Sequence, residues 1–268
     1  MSDPLPEDLS RALAATAARR GCFGDPVYFF SETGSTNDVA ASLAEREAPE
    51  GATVVASSQT AGRGRFGRPW FSPPGAGLYV SIVCRNPLAA PFVTLAGGVA
   101  VADGIRAASG LPVQIKWPND IVVDEGAPSR RRKLAGILAE ASTGADGLQY
   151  VILGFGINLR PAAYPPELAD RATAVETELG RPADGAAVLA ETLAVFADLF
   201  QGLATGRSDR VLARWRELAP SARGARVEWD TPDGTVGGVS AGIADDGALL
   251  VRVGDHIERI ISGELRWI

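Results

Sequence analysis

Hydrophobic periodicity changes at Pro220, and the change limits the chain to a large unit of mixed helix and strand followed by a small all-β unit. Beyond Pro220 lie four short alternating segments, 225–229, 235–242, 248–253 and 256–262. They are separated by the turn dipeptides Asp233-Gly234, Asp246-Gly247 and Gly254-Asp255. Turn pairs at this spacing predict the hairpins of a small β-barrel. Before Pro220, helical spacing runs over 5–20, 36–46, 92–108 and 187–203. In the last of these, Leu189, Leu193, Phe196, Phe200 and Leu203 form an apolar stripe that must face a core. Ser208 is placed to cap a further helix carrying Val211, Leu212, Trp215 and Leu218. Strand-like runs at 27–31, 52–58, 78–84, 113–116, 120–123, 134–141 and 149–157 interleave with the helices. The expected division is a helical extension over 1–26, a main α+β domain over 27–220 and a barrel over 221–268.

Several function classes are excluded by what the chain lacks. A net charge of −6 is the wrong sign for a generic nucleic-acid binder, which releases counterions with a broad basic footprint. Cys22 and Cys84 lie too far apart for a metal knuckle or redox pair and cannot build a disulfide framework, which points to a reducing compartment. The single histidine, His256, nearly excludes zinc held by paired histidines and most histidine-based catalysis. The uncharged stretch between Arg85 and Asp103 contains Pro87 and Pro91 and falls short of the roughly 20 apolar residues of a membrane span. No basic-then-apolar leader opens the chain, so the expectation is a soluble cytoplasmic protein with no membrane partner.

The chemistry concentrates in a window without acids. From Gly51 to Ala102 there is no Asp or Glu, while Arg63, Arg65, Arg68 and Arg85 fall inside it. Such a local positive field in an acidic chain points to an anionic ligand. Its densest piece is G-R-G-R-F-G-R-P-W at 62–70, where glycines admit close backbone approach and arginines offer forks for phosphate or carboxylate. The pattern is neither a P-loop nor a dinucleotide turn. A flexible RNA-binding loop or a solvated basic turn accounts for these residues equally well. Of 26 basic residues only Lys116 and Lys133 are lysine, in K-W-P-N-D (116–120) and K-L-A-G-I-L-A-E (133–140). An ammonium and a guanidinium are not interchangeable, so two lysines in an arginine-rich chain suggest a geometric requirement. Asparagine is equally sparse. Asn37 falls in E-T-G-S-T-N-D (32–38), where Ser35 and Asp38 also read as a helix capping box. Asn158 ends the strand of G-F-G-I-N-L (154–159), where it either satisfies the turn or reaches a site.

Taken in order, S-T-N at 35–37, Q-T-A-G-R-G-R-F-G-R-P-W at 59–70, K-W-P-N-D, K-L-A-G-I-L and G-F-G-I-N-L resemble the biotin protein ligase family, also called biotin–[acetyl-CoA-carboxylase] ligase. The resemblance covers most of the chain. It implies an α+β catalytic domain like that of class II aminoacyl-tRNA synthetases with a small C-terminal SH3-like β-barrel. The implied activity joins biotin to ATP, giving biotinyl-5′-AMP and pyrophosphate, and passes biotin to one lysine of a biotin carboxyl carrier (biotinyl) domain.

Carried over residue by residue, the resemblance gives Ser35, Thr36 and Gln59 the ureido head of biotin, with Asn37 and Gly136 in the same subsite. Arg63, Gly64 and Arg65 would close over the biotin tail and the phosphate. Lys133 would lie between biotin carboxylate and α-phosphate, making Lys133, Arg65 and Arg63 the catalytic set. Trp70 would pack on adenine, with Arg68, Lys116, Asn119 and Asn158 around the triphosphate and its Mg²⁺, whose ligands the motifs do not indicate. Two departures stand out. Phe66 occupies a position where many relatives carry a further arginine, which suggests an apolar lid contact there. The N-terminal segment of about 26 residues is short for the winged helix-turn-helix of relatives that repress transcription, so no DNA partner is expected. Glycines 62, 64, 67, 75 and 77 predict a 60–77 loop that is mobile when empty and ordered by ligand. Two other readings remain: lipoate attachment, which shares the adenylate logic, and an RNA-binding module using residues 62–70.

Overall fold

A computed structural model describes residues 2–124, 131–232 and 234–268. Met1 of the expected 1–26 extension and Asp233 of the expected Asp233-Gly234 turn lie outside the described residues. The larger sheet contains β1 (Val27–Phe30), β2 (Thr53–Ala56), β3 (Gly77–Cys84), β4 (Gln114–Lys116), β5 (Asp120–Asp124), β6 (Arg131–Gly144) and β7 (Gly147–Asn158). Its order is β1-β2-β3-β7-β6-β5-β4, with β1 parallel to β2 and every other pair antiparallel. Strands β3 and β7 are buried along nearly their whole length, which explains why they read as continuous apolar runs rather than alternations.

Helices α1 (Glu7–Arg20), α2 (Thr36–Glu45), α3 (Val93–Ser109), α6 (Gly185–Leu203) and α7 (Asp209–Leu218) match the periodic segments. Two short helices, α4 (Pro166–Ala169) and α5 (Val175–Leu179), were too brief to leave a period. Helices α3 and α6 approach so closely that a Cβ on Gly104 would fall 2.2 Å from Thr192 Oγ1, which only glycine permits. The stripe on α6 is buried as its spacing required, and Phe196 and Phe200 pack edge-on against Phe23. Burying each such ring is worth about 1.5–3 kcal/mol. Segments Ala90–Ser109 and Gly185–Leu203 are long and apolar enough to cross a membrane, a property that the count between Arg85 and Asp103 missed. In each, 67% of the apolar window is buried in the protein's own core.

Two capping expectations fail. Ser35 and Ser208 occupy the N-cap positions of α2 and α7, but neither side chain makes a cap hydrogen bond. Tertiary partners supplant the capping box: the Thr36 N–H donates to Gln59 Oε1, and Asp38 is drawn outward to Arg63.

After α7, strands β8 (Arg223–Thr231), β9 (Gly234–Ile243), β10 (Leu249–Val253), β11 (His256–Ile260) and β12 (Arg266–Trp267) form an antiparallel sheet of order β11-β10-β9-β8-β12. The two-residue β12 was not legible as a strand. It pairs with β8 and returns the chain terminus toward the larger sheet. The Trp117 indole donates to Gly247 O at 3.1 Å, joining the C-terminal sheet to the β4–β5 turn.

Candidate active site

A cleft of about 680 Å³ opens over the β5–β6–β7 end of the larger sheet, covered by the arginine–glycine flap and edged by residues 263–267. All fourteen residues nominated from the sequence line this cleft. Its floor lacks side chains. Gly136 on β6 is paired in register with Gly156 on β7, and Gly154 lies two residues further along the same face. A Cβ on Gly156 would lie 2.3 Å from Trp70 Nε1, one on Gly136 3.0 Å from Trp70 Cζ3, and one on Gly154 2.2 Å from Asn37 Oδ1. These three glycines let the Trp70 ring and the Asn37 amide lie flat on the sheet.

One end of the cleft is neutral and hydrogen-bonding. Ser35, Thr36 and Asn37 are buried at the start of α2. Gln59 Oε1 accepts from Thr36 N at 2.8 Å and from Thr36 Oγ1 at 3.1 Å, while its Nε2 donates to Ser72 Oγ. Ser81 Oγ donates to Asn37 Oδ1 at 2.6 Å, and Asn37 Nδ2 donates to Glu140. Sequence reasoning missed Ser81 and Glu140. The available signals were a serine in the buried run of β3 and the acid that closes K-L-A-G-I-L-A-E.

The other end is cationic. Lys133 Nζ sits 2.6 Å from Asp120 Oδ1 and 5.0 Å from the centre of the Trp70 ring. The Lys133 backbone is held by the segment 171–173, its N–H donating to Arg171 O and its carbonyl accepting from Thr173 N. Lys116 faces Asp120 across the β4–β5 ladder, and burial holds its ammonium below the usual lysine range against the pull of that carboxylate. Arg65 is similarly lowered by burial, and its guanidinium lies 4.9 Å over the Phe66 ring. Among the described residues neither Lys116 nor Arg65 forms an ion pair. Phe66 has φ 58°, is 68% exposed and lines the cleft with its ring against the Arg65 guanidinium. Asn119 donates its amide to Ile137 O and Asn158 to Thr173 O, which fixes both side chains to the framework. Trp70 Nε1 is buried without a hydrogen-bond partner among the described residues.

The flap is tethered at both ends. Arg63 makes a two-pronged pair with Asp38 at 2.7 and 2.6 Å and approaches Glu140 at 3.6 Å; Arg68 pairs with Glu264 on the C-terminal segment. The acid-free window in the sequence is therefore not an acid-free region in space. Arg85, also in that window, donates to Ala44 O and Ala48 O at the end of α2 and takes no part in the cleft. A second depression between α3, α6 and α7 holds Arg210 and Arg214 against Asp198 and Asp103, with its charges mutually paired.

No three His, Cys, Asp or Glu side chains among the described residues cluster as a metal site. Asp120 and the Asn119 side-chain oxygen supply isolated oxygen donors. That donor set fits a hard cation such as Mg²⁺ bound chiefly through nucleotide phosphates and water.

A cleft with a neutral recognition end, a cationic end and a glycine-hinged flap is suited to an enzyme that joins an uncharged-headed acid to a nucleotide. Residues 29–158 match the Biotin/lipoate A/B protein ligase family, and residues 224–265 match the Biotin protein ligase C terminal domain. The Bacillus subtilis bifunctional ligase/repressor BirA is 34% identical over 97% of this chain and 79% of its own length. The Mycobacterium tuberculosis biotin–[acetyl-CoA-carboxylase] ligase is 32% identical over 88% of this chain and 86% of its own. A solved Aquifex aeolicus biotin protein ligase, in complex with biotin and ATP, superposes with TM-score 0.74 at 28% identity, covering 90% of this chain and 99% of that one. The chain belongs to the biotin protein ligase family and is a ligase.

Proposed function

We propose that the cleft activates biotin with ATP and transfers it to a lysine of a biotin carboxyl carrier domain of acetyl-CoA carboxylase or a related enzyme. The observation that carries the residue roles is the polarity of the cleft: a neutral, hydrogen-bonding end joined by a bare glycine floor to an end holding Lys133, Lys116 and Arg65. In the first step a biotin carboxylate oxygen attacks the α-phosphorus, the bond to the bridging oxygen breaks, and pyrophosphate leaves. Two anions brought to about 4 Å repel by roughly 4 kcal/mol at an effective dielectric of 20. Cations must offset that, and the offset is larger when they stand ready before the reactants arrive.

Lys133 is assigned to the reacting centre, where its ammonium exchanges Asp120 for the incoming oxygens and its role is positioning and charge stabilisation. Arg65 and Lys116, which form no ion pair among the described residues, supply further positive charge to the phosphates. Arg63 and Gly64 cover the biotin tail, and Arg68 reaches the phosphates on leaving Glu264. Ser35, Thr36, Asn37 and Gln59 present both donors and acceptors, as a neutral ureido ring requires, with Gly136 leaving room beside them. Trp70 packs on adenine, and Asn119 and Asn158 hold the strand ends that frame the triphosphate. Mg²⁺ arriving with the nucleotide would neutralise phosphate charge, with Asp120 and Asn119 as its available protein donors. In the second step the carrier amine attacks the biotinyl carbonyl and AMP leaves.

The described elements support a class II synthetase-like catalytic domain over 27–220, preceded by the 1–26 segment and followed by an SH3-like domain over 221–268. The reading includes a cytoplasmic enzyme with no DNA or membrane partner. The test is transfer of biotin to a purified carrier domain with and without ATP. Lys133→Ala should abolish adenylate formation while retaining much of the biotin affinity; retained adenylation would remove Lys133 from its role. Pyrophosphate exchange driven by lipoate in place of biotin would favour the other acid.

A further inference from the structure

Strand alternation places Arg131 and Lys133 on the same face of β6, while Arg132 between them turns away to Glu178 at 3.0 Å. Across the ladder, Asp124 on β5 stands in register with Arg131, and its carboxylate accepts from Arg131 Nε at 2.9 Å. Strands β5 and β6 thus carry two acid–base pairs in succession, Asp120 with Lys133 and Asp124 with Arg131. The second pair is the more enclosed, its side chains 11% and 14% exposed. Arg131 Nη1 is nonetheless buried with no hydrogen-bond partner among the described residues. The Trp267 ring on β12 lies 5.9 Å from the guanidinium carbon and covers it from the C-terminal sheet.

A buried charged N–H without an acceptor is costly. Here Arg131 is among the residues that line the cleft, one same-face step, about 7 Å, along the strand from Lys133. We infer that Arg131 is a further nucleotide-binding residue, its free guanidinium nitrogen taking an oxygen of the β- or γ-phosphate while Asp124 and Trp267 hold the group in place. The assignment rests on the reading that puts the α-phosphate at Lys133. It requires no partner for Arg131 in the adenosine or α-phosphate portion, so Arg131 distinguishes ATP from AMP. It also gives the C-terminal sheet a direct part in nucleotide binding through Trp267.

The experiment measures affinities of the full chain, in the presence of biotin, for AMP and for the unreactive α,β-methylene analogue of ATP, in wild type, Arg131→Gln, Arg131→Lys and Lys116→Met. Loss of one charge-assisted contact corresponds to a roughly 10- to 100-fold weakening. Arg131→Gln should weaken the ATP analogue by that factor and leave AMP and biotin affinity within about twofold. In turnover, the KM for ATP should rise with kcat at saturating ATP little changed. Arg131→Lys keeps the charge beside Asp124 and should lose less, and it carries the test if the Gln variant does not fold. Unchanged affinity for the analogue in both variants, or equal weakening of analogue and AMP, overturns the inference. If Lys116→Met weakens the analogue and Arg131→Gln does not, only Arg131 loses its role. If neither does, the placement of the triphosphate at this end falls as well.

Discussion

The glycine floor makes the division of the cleft directly testable, because one added methyl group at each of two neighbouring positions should disable opposite ends. In Gly156→Ala the new Cβ would stand 2.3 Å from Trp70 Nε1 and 2.7 Å from Cε2, where ordinary contact begins near 3.4 Å. Strand β7 is hydrogen-bonded to β3 on one side and β6 on the other, so the backbone cannot retreat and the Trp70 ring must move by about 1 Å. Stacking of a base on an aromatic ring is worth about 1–3 kcal/mol, which corresponds to a loss of roughly 5- to 150-fold in ATP affinity. Gly154→Ala meets Asn37 Oδ1 at 2.2 Å instead. It should break the bond from Ser81 and the bond to Glu140, together worth about 2–4 kcal/mol. The expected result of calorimetric titrations, run beside melting temperatures, is a nucleotide defect in Gly156→Ala and a biotin defect in Gly154→Ala. Equal losses of both ligands in both variants, or the reverse pattern, would refute the assignment of the two ends.

Three further outcomes follow from the same geometry. Limited proteolysis should cut the 60–77 flap in the free protein and be suppressed by biotin with ATP; equal cleavage in both states would remove its role as a ligand-ordered cover. Arg65→Gly should loosen that cover and release biotinyl-5′-AMP, read as labelling of bystander lysines, whereas labelling confined to the carrier domain would count against it. Burial makes Lys116 lose its proton at a lower pH than a solvated lysine does, so the folded protein binds fewer protons than the unfolded chain through that window. Stability should therefore rise with pH there while ATP affinity falls; Lys116→Arg should abolish the fall, and an identical pH profile for the two proteins would exclude Lys116 as its source.

Much of this site was legible because its residues come as short strings whose backbones run straight into the cleft. K-L-A-G places Lys133 and its glycine floor on one strand, and G-F-G-I-N-L places the rest of the floor on the next. What was not legible is the set of acids. Asp38, Glu140 and Glu264 reach the flap from α2, β6 and the C-terminal segment, the last 196 residues from its partner Arg68. No local pattern encodes such pairings. Long-range contacts also occupy the partner the capping box at Ser35 would need, since the Asp38 carboxylate is held by Arg63.

These distant acids change how the flap arginines can act. Had Arg63 and Arg68 stood unpaired, a permanently positive cleft would attract any anion in solution. Their pairs with Asp38 and Glu264 leave both partners substantially exposed, with side-chain exposures of 35% and 60% in one pair and 64% and 59% in the other. Pairs so open to water are weak, which suits contacts that must break when substrate arrives. Lys116 and Arg65 form no ion pair among the described residues, so on the proposed roles they would be the cations available to a first anion. On the proposed roles, two standing cations and two displaceable ones would let an anion enter before the flap pairs break, so that closure of the flap would depend on ligand.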